Sequence, residues 1–166
     1  MRIIKGIKVI VFVFLFIVIN LLLSYLLVKA NGPSEVMWKD FRKTEKIDTV
    51  YLGSSFSQMT FNPYIIDEAT GWSSFNMGTP GQPLDQTKEA LTAAIQEKKI
   101  KRAVLVFGIP SLELIQNANA RATFARARKY GCSPLEKLRL DWKFVTDSEN
   151  FNTEASLTYF FPWTYN

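Results

Sequence analysis

The sequence predicts an α/β protein behind a membrane-spanning helix. Three observations predict it: a charge-free apolar run near the N-terminus, three later apolar runs that each stop at a glycine, and amphipathic stretches between those runs. Strands that read as continuous apolar runs, not as alternating ones, belong to parallel sheets covered on both faces. Their alternation with helices gives a layered α/β domain.

The first element occupies residues 9–28, twenty residues without a charge. At ~1.5 Å rise per residue it crosses a ~30 Å hydrocarbon layer as a helix. Only Asn20 and Ser24 are markedly polar within it. Arg2, Lys5 and Lys8 precede it and Lys29 alone follows closely, so the positive-inside bias puts the N-terminus in the cytoplasm. The expectation is a single-pass cell-membrane protein with everything after Ala30 outside. A cleaved signal peptide is the rival, because Val28-Lys29-Ala30 offers a cleavage-like end, although the run exceeds the ~7–15 residues of a signal core. A buried core helix of a soluble protein is the third reading.

Asn31-Gly32-Pro33-Ser34 breaks the helix, and residues 31–46 read as a juxtamembrane linker. The α/β domain is expected over 47–166. Residues 47–52 (IDTVYL) form the first strand and stop at Gly53, after which Ser54 and Ser55 open a short helix. Asn62-Pro63 is an N-cap followed by proline at the first helical position, and Gly71 ends that helix. Residues 72–77 give a second strand ending at Gly78. Residues 83–99 give a helix with Leu84, Leu91, Ala94 and Ile95 on one stripe, and 102–107 a third strand ending at Gly108. In such a sheet, ligand chemistry belongs at the carboxyl ends of the strands.

Further on, Ser111 caps a helix running toward Tyr130 with Gly131 as its stop. Ser133-Pro134-Leu135-Glu136 is a capping box opening another, with Leu135, Leu138 and Trp142 on one side. Arg121, Arg126, Arg128 and Lys129 read as a solvated helix face, the alternative being a grip on anionic polymer or lipid headgroups. The net charge of +5 arises at the N-terminal end, since four of the 20 basic residues precede Glu35, the first of 15 acidic ones. No nucleic-acid partner is therefore expected. A single cysteine, Cys132, and no histidine exclude an internal disulfide framework and a Cys/His zinc site. Neither a metal nor a cofactor is expected.

A strand running into Gly53-Ser54-Ser55 can lift a serine hydroxyl onto the rim of the sheet, where it can attack a carbonyl. Backbone N–H groups of that turn and of the Gly78 turn could hold the oxyanion, at roughly 3 to 4 kcal/mol per well-placed donor. The plainer alternative is a tight turn whose serines cap a helix. Residues 48–82, with Gly53-Ser54-Ser55, Asn62-Pro63 and Asn76-Met77-Gly78, resemble the opening of the SGNH/GDSL hydrolase superfamily. The likeness is closer to its membrane-anchored, exported, DltD-like members, and it covers roughly residues 47–108. It implies an incomplete three-layer, SGNH/flavodoxin-like domain with Ser55 as nucleophile and Gly78 as oxyanion donor. Gln82, Asn76 and Ser54 would then line the substrate. The reaction implied is acyl transfer on ester-linked groups of envelope polysaccharide, with a polytopic membrane acyl donor as a partner.

The sequence departs from that pattern in three places. Phe56 follows the serines, Gly108-Ile109-Pro110 stands where the family has Gly-x-Asn-Asp, and no Asp-x-x-His follows because the chain lacks histidine. A serine hydroxyl without a base is a weak nucleophile at neutral pH. The expectation is thus the N-terminal portion of such an enzyme, inactive alone, with an unpaired sheet edge and uncovered apolar surface. The aromatic residues 157–166 fit the same idea. The alternative is a non-catalytic, membrane-tethered interaction domain whose Phe160, Phe161, Trp163 and Tyr165 pack on a partner, a glycan or the bilayer interface.

Overall fold

The structure, a computed structural model, describes residues 2–28, 32–106, 108, 118–148, 150–151 and 154–165. It is an α/β protein with a three-stranded parallel sheet behind an apolar N-terminal helix. That helix, α1 (Arg2–Leu27), contains a stretch Gly6–Leu27 with mean hydropathy 2.9, long and apolar enough to cross a membrane.

Helix α2 (Pro33–Lys43) starts from an extended Gly32 with Pro33 in its first turn. Residues 33–43, read from the sequence as part of a juxtamembrane linker, are therefore helical. Met37, Trp38 and Phe41 recur on one face among charges and are buried in the main core. That stripe was legible but short, and the Gly-Pro punctuation masked it.

Strand β1 (Thr49–Gly53) lies at the centre of the order β2-β1-β3, between β2 (Ser74–Asn76) and β3 (Arg102–Val106), and pairs in parallel with both. All three strands fall within or beside the expected runs, and Asp48 explains where they begin. Its N–H donates to the Ser73 carbonyl at 2.8 Å, and its own carbonyl accepts from Lys101 and Arg102 N–H at 2.8 and 3.0 Å. One residue thus aligns the entry ends of the sheet.

Val50 and Leu52 point to one side of β1, into a core with α2, α5 (Leu84–Glu97) and α6 (Ala118–Arg128). That core includes Ala90, Ala93, Ala94, Phe124 and Ala127. Tyr51, on the opposite side by strand alternation, stacks on Phe61 at 4.6 Å between α3 (Ser55–Thr60) and α4 (Pro63–Thr70). Asn62 caps α4 by accepting from Tyr64 N–H at 3.1 Å, and Gly71 ends it in the left-handed region at φ +71°. The expected start at Ser111 lies outside the described residues.

Helices α7 (Pro134–Thr146) and α8 (Glu154–Phe160) follow, then a 3-10 turn at Pro162–Tyr165. Ser133 caps α7, accepting from Glu136 N–H at 3.3 Å. Phe144 and Tyr159 stack at 4.1 Å in a second, smaller core with Ala122 and Ala155.

The basic cluster is not a solvated face. Arg128 is buried against Glu89, Lys129 pairs with Asp141 at 2.7 Å, Arg126 donates to the Thr158 carbonyl, and Arg121 meets Asn150 Oδ1 at 3.2 Å. These cations tie α6 to α5, α7, α8 and the segment between α7 and α8. Burial pushes the Arg126 guanidinium pKa down and the Tyr159 phenol up, the latter reinforced by its hydrogen bond to Asp141. Side-chain carbons of a basic helix can cover a core while the charged heads find partners at its edge; the sequence pattern alone does not separate that from solvation.

Candidate functional site

The carboxyl ends of β1 and β2 meet helix α3, and two glycines permit it. Gly53 sits at φ +142°, where a Cβ would lie 2.4 Å from the Val106 carbonyl oxygen. At Gly78 a Cβ would come within 2.9 Å of both Gln58 N and Ser57 Cβ. Side chains at either position would hold β3 or α3 away from the central strand.

Ser54 is the N-cap residue of α3 and is buried; Ser55 begins the helix and is half-exposed. The Ser55 hydroxyl has no hydrogen-bond partner among the described residues. It stands beyond the end of the central strand, on the rim where the sheet meets solvent.

Asn76 stitches this rim together. Its Nδ2 donates to the Ser57 and Phe61 carbonyls, both at 2.9 Å, while its Oδ1 accepts from Gly78 N–H at 2.9 Å and from Ser57 Oγ at 3.4 Å. The end of β2 is thereby fixed to α3 and to the residue just past its C-terminus. The Gly78 N–H is consequently occupied, so an oxyanion there would have to exchange for the Asn76 bond. Such an exchange gains less than a donor already aimed at the reacting oxygen.

Gln82 is 2 % exposed and lies inside the protein, not on the rim. Its Oε1 accepts from Thr79 Oγ1 at 2.8 Å and its Nε2 donates to Thr87 Oγ1 at 3.2 Å, while Thr87 donates on to the Pro83 carbonyl at 2.9 Å. This buried chain holds the turn between β2 and α5. Thr79 N–H also donates to the Gly53 carbonyl at 3.3 Å, tying the turn to β1. Ser57, Thr79 and Thr87 were not singled out from the sequence; small hydroxyl residues carry no periodic signal that marks them as buried and bonded.

On the β2 side of α3 an open cleft of about 1150 Å³ is lined by Met59, Asn62, Tyr64, Asp67, Asn76 and Gly78 among others. Ser55 and Gln82 do not line it. Asp67 within it is engaged, accepting from Ser74 N–H at 2.9 Å and Ser74 Oγ at 2.6 Å. Among the described residues no side chain is hydrogen-bonded to Ser55 as a base, and no group of His, Cys, Asp and Glu is placed to hold a metal ion. No family model, no curated protein and no solved structure matches this chain.

What the arrangement can do chemically is bounded by these bonds. The structure brings Ser54, Ser55, Asn76 and Gly78 to one end of the sheet around α3, and puts Gln82 behind them as a support. An accessible hydroxyl is present there; among the described residues no proton acceptor is paired with it.

Proposed function

We propose that the chain is the N-terminal portion of a membrane-anchored SGNH-type serine hydrolase or acyltransferase. Its N-terminus is cytoplasmic and its domain acts outside on acyl esters of envelope polysaccharide. The observation that carries this reading is the half-exposed Ser55 hydroxyl, unpartnered among the described residues, at the start of the helix that follows the central parallel strand. The resemblance of residues 48–82 supplies the reaction class. In an intact relative the missing histidine would come from elsewhere, and a polytopic membrane protein would supply the acyl group.

Without a base the chain alone does not turn over esters; with a base added it undergoes acylation. Imidazole takes the Ser55 proton, Oγ forms a bond to the acyl carbon of p-nitrophenyl acetate, and nitrophenolate leaves. Mass spectrometry should find acetyl on Ser55 well above that on exposed Ser133, and none at position 55 in Ser55→Ala. Equal labelling of Ser55 and Ser133 would remove the nucleophile assignment. Rapid Ser55-dependent hydrolysis without imidazole would remove the inactivity.

The second reading, a membrane-tethered interaction domain without catalysis, is favoured by the exposed stripe of Leu135, Leu138 and Trp142, which are 79, 66 and 72 % exposed. Surface leucines and a tryptophan in one row are what a partner-binding helix presents. Absence of any imidazole-dependent label on Ser55 would shift the balance to it.

A further inference from the structure

We propose that residues 160–165 lie within the bilayer, seated on the anchor helix by Asn20 and surrounded by phospholipid acyl chains, so that the domain rests on the membrane instead of hanging from it. This rests on the reading that α1 spans a membrane. Asn20 stands seven residues before the end of α1 at Leu27, ~10 Å inside the span, and Phe16 lies deeper still. Both touch the aromatic turn. Asn20 Nδ2 donates to the Phe160 carbonyl at 3.1 Å, and its Oδ1 accepts from Trp163 Nε1 at 2.7 Å. Phe16 meets Phe161 edge-on with centroids 5.8 Å apart.

The span has one markedly polar amide, and this turn occupies both ends of it. Residues 6–19 of α1 are exposed, whereas Asn20, Leu23 and Ser24 are half-buried, a single face at helical spacing. A spanning helix gains little from hiding apolar side chains, since lipid is as apolar as leucine, so hydrogen bonds and close packing decide what sits against it.

Hydrocarbon requires backbone polar groups to find partners within the protein, and several in the turn do. Phe161 N–H donates to the Leu157 carbonyl at 2.8 Å, and Thr164 donates to the Phe161 carbonyl through N–H at 3.0 Å and Oγ1 at 2.7 Å. The Phe160 carbonyl is covered by Asn20, and Pro162 has no N–H to cover. On the outside, Leu157 and Phe160 are 52 and 47 % exposed, apolar surface suited to acyl chains. In water the same residues would be an uncovered patch.

The test uses the full chain in phosphatidylcholine vesicles whose acyl chains carry bromine near the bilayer centre or near the headgroup. Tryptophan emission of the native chain is compared with that of Trp163→Phe, which keeps an aromatic ring and removes the indole. The difference reports Trp163 and should be quenched more by the deep bromine than by the shallow one. Asn20→Leu, which leaves the span more apolar, should lose that deep quenching. Equal quenching of native and Trp163→Phe chains, or quenching of Trp163 by shallow bromine alone, would overturn the proposal. Deep quenching that survives in Asn20→Leu would overturn the role of Asn20. Release of the native chain from vesicles by alkaline carbonate would instead refute the anchor on which the proposal stands.

Discussion

Strands β1 and β3 pair along five residues, from Thr49 opposite Arg102 to Gly53 opposite Val106, and their sequences TVYLG and RAVLV are similarly apolar. Yet β1 is buried at every position, whereas no residue of β3 is buried: Arg102, Ala103 and Leu105 are exposed, Leu105 at 46 %, and Val104 and Val106 are intermediate. An apolar β-branched run specifies membership in a sheet; it does not specify that helices cover it. β1 has strands on both edges, α2, α5 and α6 on one face and α3 on the other. β3 has β1 on one edge and no second strand partner among the described residues.

The largest break in this comparison should come from truncating the same residue type on the two strands. Leu52→Ala removes a fully buried side chain from the main core and should cost about 3 kcal/mol or more. Leu105→Ala removes a half-exposed one and should cost under ~1 kcal/mol. Urea unfolding of the detergent-solubilised chain reads both. Equal losses would mean that β3 is covered in solution, by a second copy or by another part of a longer protein, and the contrast would vanish.

A smaller effect, about 2 kcal/mol, is expected from Gly53→Ala, because the substitution forces a Cβ against the Val106 carbonyl at a backbone angle that L side chains rarely adopt. Its sharper signature is local. Amide exchange should accelerate at Gly53 and Val106, where the two strands part, and stay unchanged in α4. Protection lost evenly over the whole domain would show that the approach of β1 to β3 is not what Gly53 serves.

Much of this arrangement was legible. β1 and β3 announce themselves by their apolar runs, β2 by its place between two helices and its stop at Gly78, and Asn62, Gly71, Ser133 and Gly131 mark helix ends by chemistry that acts within a few residues. The placing of Ser55 and Gly78 at one end of the sheet followed from topology. What stayed hidden depends on distant partners. Arg128 and Lys129 look like solvent-facing charges until Glu89 and Asp141 come alongside, and Gln82 looks like a rim residue until Thr79 and Thr87 enclose its amide. Trp38 and Phe41 were concealed by the Gly-Pro break that precedes them.

The smallest effect concerns the entry end of the sheet, where β1 and β3 are held alike. Asp48 Oδ1 accepts from Thr49 Oγ1 at 2.8 Å and from Ser73 N–H at 3.3 Å, and lies 3.6 Å from Arg102 Nη1. The Thr49 hydrogen bond, followed by the Ser73 amide and the charges of Arg102 and Lys101, holds the carboxyl below its ordinary value of 3.8, with burial working against them. A depressed pKa in the folded state means that the unfolded chain binds the proton more readily. The contribution to stability is therefore present above the ordinary value and is lost as pH falls through the folded one. Asp48→Asn keeps the acceptor for Thr49 and removes the charge, so it should be less stable than the native chain at neutral pH. The gap should close as the solution is acidified below about 4. A gap that stays constant with pH would assign Asp48 a purely geometric part in aligning β1 with β3, leaving its backbone bonds to Ser73, Lys101 and Arg102 as the whole of the clamp.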